Sequence, residues 1–116
     1  MDKDLQTLQV ALRQFAAERD WAQFHSPKNL AVSLSIEAAE VLEHFQWLTE
    51  EQSRQLSEAQ RGEVAHEIAD VLLYLLQLSD KLGIDPLAAA REKLALNADK
   101  YPVDKARGNS RKYTEL

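Results

Sequence analysis

The chain has 116 residues, enough for one domain with a modest core and too few for two independent ones. With 45% apolar and 28% charged residues, it has the composition of a globular protein rather than a disordered one. Its net charge of −5 argues against a duplex nucleic acid partner. The lack of cysteine excludes disulfides and thiolate metal sites and favours a reducing, cytoplasmic location. The sequence has no secretory leader pattern and no apolar run long enough for a membrane span, so we expect neither secretion nor membrane insertion.

Four helices are predicted in chain order, and no segment carries the alternating pattern of a strand. Leucines at three- and four-residue spacing (Leu5, Leu8 and Leu12) indicate the first helix, and the Ser26-Pro27 pair predicts a loop before the second. The predicted helices span roughly residues 4–19, 27–48, 57–82 and 86–101.

Capping signals mark the ends of these helices. Thr49 and Ser57 each precede a Gln by three residues, the spacing of a capping box, so a short helical turn and then the third helix are expected to begin there. Gly83 is expected to cap the third helix, and an Asp-Pro pair to begin the fourth. Four helices with short connections predict an all-α four-helix bundle, with residues 1–102 as one domain and residues 103–116 as a polar, basic tail.

Two matched pairs of carboxylates stand among apolar residues of the second and third helices. Glu37 and Glu40 lie in EAAEVL, and Glu67 and Asp70 lie in EIADVL, which aligns with it without a gap. Residues three apart lie on one face of a helix. If the neighbouring apolar faces pack together, the two acidic pairs meet at the edge of the packed seam.

Such a meeting of like charges calls for a cation, because uncompensated ions at partial burial are destabilising. The sequence has no Lys or Arg between Lys28 and Arg54, or between Arg61 and Lys81, so an external ion is the simplest source of positive charge. Carboxylate ligands without thiolates suit hard cations, Mg²⁺ first and Mn²⁺ second. Mg²⁺ also keeps coordination positions for water and for substrate phosphates.

Two other interpretations of the acids are weaker. A solvated charged face is the ordinary explanation for a single such pair, but it does not explain two matched pairs without cationic partners. Glu63 and His66 have the Glu-x-x-His spacing of di-iron bundles, which should occur on two helices and here occurs once. Iron therefore ranks below magnesium.

His44 lies four residues after Glu40, on the same face of the second helix, and we interpret it as a polar edge rather than as a partner of the acids.

The carboxylate pairs resemble those of the all-α nucleoside triphosphate pyrophosphohydrolases, the MazG-like group. FAAERDWAQFH at 15–25, FQW at 45–47, KYP at 100–102 and SRKYTEL at 110–116 are similar to the dCTP pyrophosphatase branch of that group. The resemblance implies a Mg²⁺-dependent catalytic domain that cleaves a nucleoside triphosphate between its α and β phosphates. It also implies a homo-oligomer, a tetramer or a dimer, with helices contributed across subunits.

The resemblance also assigns roles to individual residues. The metal ligands would be Glu37, Glu40, Glu67 and Asp70; the base and sugar contacts would be Trp21, His25, Trp47 and Tyr74; and the phosphate contacts would be Lys93, Asn97 and Tyr101. Lys100 lies on the same helical stripe as Lys93 and Asn97, so we expect it to add positive charge there. Two positions depart from the pattern: Ile36 stands where the broader family often has a further acid, and Leu12 where some relatives carry a base-contacting His.

Three functions fit these features to different degrees. Phosphoryl transfer asks mainly for positioning and charge neutralisation, so the residues alone favour a Mg²⁺-binding bundle suited to a phosphorylated ligand. The resemblance implies the reaction and the base: a pyrophosphohydrolase that removes dCTP or base-modified dCTP from the nucleotide pool. Glu40, and after it Glu37, would then be the catalytic carboxylates, with Glu40 taking a proton from the attacking water. The alternatives are a non-catalytic bundle that binds a metal and a nucleotide, and a structural oligomerisation module.

Overall fold

A computed structural model describes residues 3–116, and across that range its regular elements are helices without any strand. The helices are α1 (Lys3–Glu18), α2 (Pro27–Glu43), α3 (Glu50–Ser53), α4 (Glu58–Lys81), α5 (Pro86–Lys100) and α6 (Val103–Ala106), with short 3₁₀ turns at Ala22–Phe24 and Tyr113–Glu115. The all-α prediction is confirmed, and the four predicted long helices correspond to α1, α2, α4 and α5. The first two residues of the predicted 1–102 domain lie outside the described residues.

The predicted capping signals begin the helices where expected. Ser26 accepts a hydrogen bond from a backbone N–H in the first turn of α2, and both capping boxes, at Thr49 and Ser57, are formed with their glutamines. Asp85 caps α5 by accepting from two backbone N–H groups. Gly83 follows α4 with a φ of +66°, a left-handed conformation that favours glycine. Short polar side chains thus fix where the long helices start.

Helix α2 is shorter than predicted: it ends at Glu43, not at Leu48. Residues 44–48 form tight turns instead, with the Leu48 N–H donating to the Phe45 carbonyl at 2.9 Å. The backbone hydrogen bonds tighten to three-residue spacing at this point: the His44 N–H donates to the Val41 carbonyl and the Phe45 N–H to the Leu42 carbonyl. The capping box at Thr49 follows these turns and begins α3. Trp47, which the predicted helix of residues 27–48 includes, therefore lies in these turns and not in α2.

The residues from α1 to Ile84 form one compact unit in which α4 packs against both α2 and α1. Its most buried side chains are Leu30 and Leu76, each 1% exposed. The polar side chain of Gln9 is also buried and donates a hydrogen bond to the Leu76 carbonyl at 3.2 Å. On the same two helices, the Arg13 guanidinium pairs with both oxygens of Asp80 at 2.6 Å. Helix α4 is thus the central element that both other helices contact.

Asp85–Leu116 form a second compact unit, made of α5, α6 and the C-terminal segment. The predicted single domain of residues 1–102 stays a prediction. No helix within residues 3–116 combines the length and the apolar character that a membrane span requires.

Candidate functional site

The packing of α2 on α4 brings the two predicted carboxylate pairs together. One carboxylate oxygen each from Glu37, Glu67 and Asp70 lies within 4.8 Å of the other two, and all three side chains are half-buried. Two oxygens on opposite sides of one Mg²⁺ ion are about 4.2 Å apart, so this spacing is close to what one ion needs. Glu40, also half-buried, lies within hydrogen-bonding reach of both Glu37 and Glu67. We refer to these four residues as the acidic cluster.

Across residues 3–116, no Lys or Arg forms an ion pair with the acidic cluster, and the pKa values of its carboxyl groups reflect this. Burial, followed by contact with Glu40 and by the charges of Asp70 and Glu67, raises the pKa of Glu37 to about 7. Burial is also the largest cause that raises the pKa of Glu67, again with Glu40 next, while a contact with His44 acts in the opposite direction. Four carboxylates this close favour holding a proton or a cation.

Two buried oxygens of the acidic cluster bear on whether the site fits a metal ion. Glu37 Oε2 and Glu67 Oε2 are buried, and neither has a hydrogen-bond partner among the described residues. A buried oxygen without a donor is rare and costly, whereas a hard divalent cation satisfies such an oxygen directly. The donor set consists of carboxylate oxygens alone, which suits Mg²⁺ or Mn²⁺. The four residues therefore fit a divalent cation.

His44 lies at the edge of the acidic cluster. The sequence analysis did not treat it as a partner of the acids, but the structure places it close to two of the glutamates of α4. Its Nε2 is 3.7 Å from Glu67 Oε1, and its Nδ1 is 3.9 Å from Glu63 Oε2. The available signal was its position four residues after Glu40, on the face that meets α4. Glu63 and His66 of the Glu-x-x-His motif are both exposed. This arrangement gives iron no further support.

A cleft of about 360 Å³ adjoins the acidic cluster. Apolar side chains of α1 form one wall and α4 the other, and the lining residues are Leu8, Ala11, Leu12, Phe15, Trp21, His25, Asp70, Leu73, Tyr74 and Gln77. Asp70 belongs to both the cleft and the acidic cluster. The cleft has the character of a small-molecule site, which is mostly apolar with a few polar groups at one end.

Three of the four residues predicted to contact a base or sugar line this cleft: Trp21, His25 and Tyr74. The Trp21 ring packs edge-on against Phe15, with 5.7 Å between ring centroids, and against His25 at 6.4 Å. Asp20, at a φ of +54°, makes the sharp turn after α1 that precedes Trp21. The loop after α1 is thus shaped to present aromatic side chains to the cleft.

Trp47, the fourth predicted base contact, lies outside this cleft. It is 87% exposed and stands in the turns after α2. Its role as a base contact stays a prediction.

The predicted phosphate contacts all lie in the unit of residues 85–116. Lys93 and Lys100 are exposed on α5, Asn97 is half-buried, and the Tyr101 N–H caps α5 by donating to the Asn97 carbonyl at 2.9 Å. The Lys100 ammonium lies 4.9 Å above the ring of Tyr113. The phosphate-binding role of these residues stays a prediction.

Comparison with known proteins places these features in a family. The MazG-like family matches residues 32–116, which include the acidic cluster. The chain is 43% identical over 105 residues to human dCTP pyrophosphatase 1 and 41% identical to the mouse protein of that name. The match covers 89% of this chain and 62% of each relative, so the chain spans less than two thirds of the length of these relatives.

A solved structure agrees with the fold. The crystal structure of a pyrophosphatase from Archaeoglobus fulgidus superimposes with a TM-score of 0.82 and is 46% identical in sequence. The match covers 88% of this chain and 95% of that one.

Proposed function

The chain belongs to the MazG-like family, and from this we propose that it is a nucleoside triphosphate pyrophosphohydrolase that converts dCTP to dCMP and pyrophosphate. The observation that carries the proposal is the acidic cluster with its two unpartnered oxygens, placed beside a cleft that shares Asp70. The names of the similar proteins, dCTP pyrophosphatase 1 and a pyrophosphatase, support the same reaction. We extend the proposal to base-modified dCTP, with removal of such nucleotides from the pool as its purpose.

Glu37, Glu40, Glu67 and Asp70 would hold Mg²⁺, with Mn²⁺ as the second choice. When bound, Mg²⁺ neutralises phosphate charge and lowers the pKa of a water molecule, which is most of what phosphoryl transfer requires. The buried Oε2 atoms of Glu37 and Glu67, which lack hydrogen-bond partners among the described residues, would supply two of the ligands. His44, whose Nε2 lies 3.7 Å from Glu67 Oε1, would help to orient that carboxylate by closing to hydrogen-bond distance.

Glu40 is the proposed general base. It lies within reach of both Glu37 and Glu67, beside the oxygens that would hold the cation. A carboxylate in this position can take the proton of the attacking water while its neighbours hold cations. Glu37 is the alternative base.

The cleft is the proposed site for the base and sugar. Trp21 offers an aromatic face for stacking, His25 offers a ring nitrogen, and Tyr74 lies on α4 one turn after Asp70. Because Asp70 links the cleft to the acidic cluster, a nucleoside in the cleft would point its phosphates toward the carboxylates. Lys93, Asn97, Lys100 and Tyr101 are the proposed contacts of the phosphates, and Trp47 is proposed as a further base contact.

We also propose that the protein works as a homo-oligomer, a dimer or a tetramer. Large apolar side chains are exposed on the long helices, among them Ile36, Leu42, Ile68 and Leu72. Exposed apolar area of this extent is typical of a surface that another chain covers. Trp47, 87% exposed in one chain, would be covered in the same way. Analytical ultracentrifugation tests this proposal, and a monomer at micromolar concentration would contradict it.

The experiment that tests the function measures pyrophosphate release from a panel of ribo- and deoxynucleoside triphosphates, with and without Mg²⁺. We expect release that requires Mg²⁺, is fastest with dCTP, and is lost in Glu40→Gln. Glu43→Gln is the matched control, because Glu43 is an exposed carboxylate at the end of the same helix, three residues after Glu40.

Three outcomes would decide otherwise. Orthophosphate release would place the cleavage at a different bond. Nucleotide binding without cleavage would favour the non-catalytic bundle, and equal metal affinity in wild type and Glu40→Gln with altered assembly would favour the structural module.

A further inference from the structure

The C-terminal segment folds back on the end of α5. After α6, Gly108 adopts a φ of +80°, which lets the chain reverse. Asn109 fixes the reversed chain with both ends of its side chain: its Nδ2 donates to the Lys105 carbonyl, and its Oδ1 accepts from the Arg111 N–H, each at 3.0 Å. The short helical turn Tyr113–Glu115 then follows. The segment is therefore ordered by its own hydrogen bonds, and its return path is defined.

This path brings Tyr113 against two residues at the end of α5. Its ring meets the ring of Tyr101 edge-on, with 6.0 Å between centroids and 83° between planes. The Lys100 ammonium lies 4.9 Å above the centroid of the Tyr113 ring. One side chain from the tail thus contacts two adjacent side chains, the ammonium of Lys100 and the ring of Tyr101, and both residues are proposed to meet phosphates.

These contacts have a consequence for phosphate binding. A lysine side chain on an exposed helix samples many rotamers, and binding an anion requires it to give up that freedom. A cation–π contact holds the ammonium near one position while leaving its N–H donors free for an anion. The edge-on ring contact likewise limits the rotation of Tyr101. Tyr113 therefore prepares both side chains in advance.

We infer that Tyr113 is a positioning residue that holds Lys100 and Tyr101 in place for the phosphate chain of the substrate. The inference deepens the proposed function and rests on it. Tyr113 itself need not touch the substrate. Its removal should weaken the binding of phosphates without changing the chemistry at the acidic cluster or the binding of the base.

The test compares Tyr113→Ala, Tyr113→Leu and Tyr113→Phe with wild type in steady-state dCTP hydrolysis. We expect a KM about 2- to 5-fold higher in Tyr113→Ala, the range that an exposed cation–π contact supports, with kcat unchanged within about twofold. Tyr113→Leu fills apolar space without a π face and should behave as Tyr113→Ala does. Tyr113→Phe keeps the ring and should restore the wild-type KM. Thr114→Ala, in the same turn, is the matched control and should leave KM unchanged.

A second measurement separates phosphate binding from base binding and from folding. Inhibition by inorganic tripolyphosphate, which has no base, should weaken in Tyr113→Ala by the same factor as KM, while inhibition by deoxycytidine should not change. Thermal unfolding followed by circular dichroism checks that the variants are folded.

Unchanged tripolyphosphate inhibition in Tyr113→Ala would overturn the inference. A lower KM would overturn it as well, because it would mean that the tail shields Lys100 and Tyr101. If wild type releases no pyrophosphate, the proposed function fails and this inference fails with it; if wild type is active and Tyr113→Ala matches it, only the inference fails.

Discussion

Helix α4 carries two aspartates, Asp70 and Asp80, which lie ten residues or about 15 Å apart along the helix axis. One of them faces a positive charge and the other faces negative charges. Asp80 receives two hydrogen bonds at 2.6 Å from Arg13 of α1, and these bonds hold the pKa of Asp80 below its usual range. Asp70 faces Glu37 and Glu67 instead, and there the pKa of Glu37 rises to about 7. Among the described residues, Asp80 thus has a guanidinium as its partner, whereas the acidic cluster has no Lys or Arg partner and only the imidazole of His44 at its edge.

The cavity beside Asp80 and the cleft beside Asp70 differ in whether the polar groups next to them have partners. The cavity near Asp80 has about 170 Å³, and among its lining residues Arg13 and Asp80 bond each other while Gln9 bonds the Leu76 carbonyl. The cleft near Asp70 has about 360 Å³ and opens beside oxygens that lack a donor. The comparison teaches that a paired carboxylate stabilises the fold, whereas an unpaired group of carboxylates marks the place where a ligand binds.

The largest expected effect is on activity, in Asp70→Asn. The change removes one negative ligand from the acidic cluster and leaves the volume of the side chain almost unchanged, so we expect kcat/KM for dCTP to fall about 100-fold or more. The melting temperature without metal should not fall, because the substitution relieves repulsion. Steady-state kinetics and thermal unfolding of the same preparation measure both. Activity within a few-fold of wild type would contradict the role of Asp70.

The next effect tests whether the cleft, rather than the smaller cavity, receives the base. Trp21→Ala should raise KM for dCTP about 5- to 150-fold, the range that loss of one base–aromatic stacking contact predicts. Leu76→Met serves as the control, because Leu76 lines the smaller cavity and does not line the cleft. Equal increases in the two variants would mean that the cleft is not the base site.

The third effect is on stability, in Asp80→Asn. Because the folded-state pKa of Asp80 is depressed, the pair contributes stability that is present above the unfolded pKa of about 3.9 and is lost as pH falls through the folded pKa. We expect Asp80→Asn to melt a few degrees below wild type at pH 7, and this difference to shrink as the pH is lowered from 5 toward 3. Activity at pH 7 and at a temperature well below the melting point should stay within a few-fold of wild type. A hundredfold loss would show that Asp80 takes part in the reaction.

The sequence predicted the acidic cluster well because the signal is local. Two helices with clear periodicity, each with acids three residues apart, leave few ways to pack that do not bring Glu37 and Asp70 together. The capping boxes at Thr49 and Ser57 are local in the same way, and both are present.

The features that the sequence could not predict are of two kinds. In one, two local signals favour different structures; in the other, the contact joins residues that are far apart in the chain or that meet only through a chain reversal. The end of α2 differs from the prediction because apolar periodicity through Phe45 favours a longer helix, whereas the backbone after Glu43 tightens into turns with three-residue hydrogen bonds. The pairing of Arg13 with Asp80 joins residues 67 positions apart, and no local pattern indicates it. The contact of Tyr113 with Tyr101 depends on a chain reversal at Gly108, which periodicity does not describe.

The smallest effect concerns the pH dependence of stability without metal. The folded-state pKa of Glu37 is about 7 and its unfolded value about 4.3, so between these values the folded chain binds more protons than the unfolded chain, and stability falls as pH rises. We expect the melting temperature in chelator to decline by a few degrees from pH 5 to pH 7.5, and the decline to be smaller in Glu37→Gln, which is neutral throughout. Mg²⁺ should remove the decline in wild type, because binding the cation releases the proton and compensates the charge. Glu43→Gln, at an exposed position, should keep the wild-type slope. If Glu37→Gln shows the same decline as wild type, the acidic cluster is not the source of the pH dependence, and the contrast with Asp80 loses its electrostatic basis.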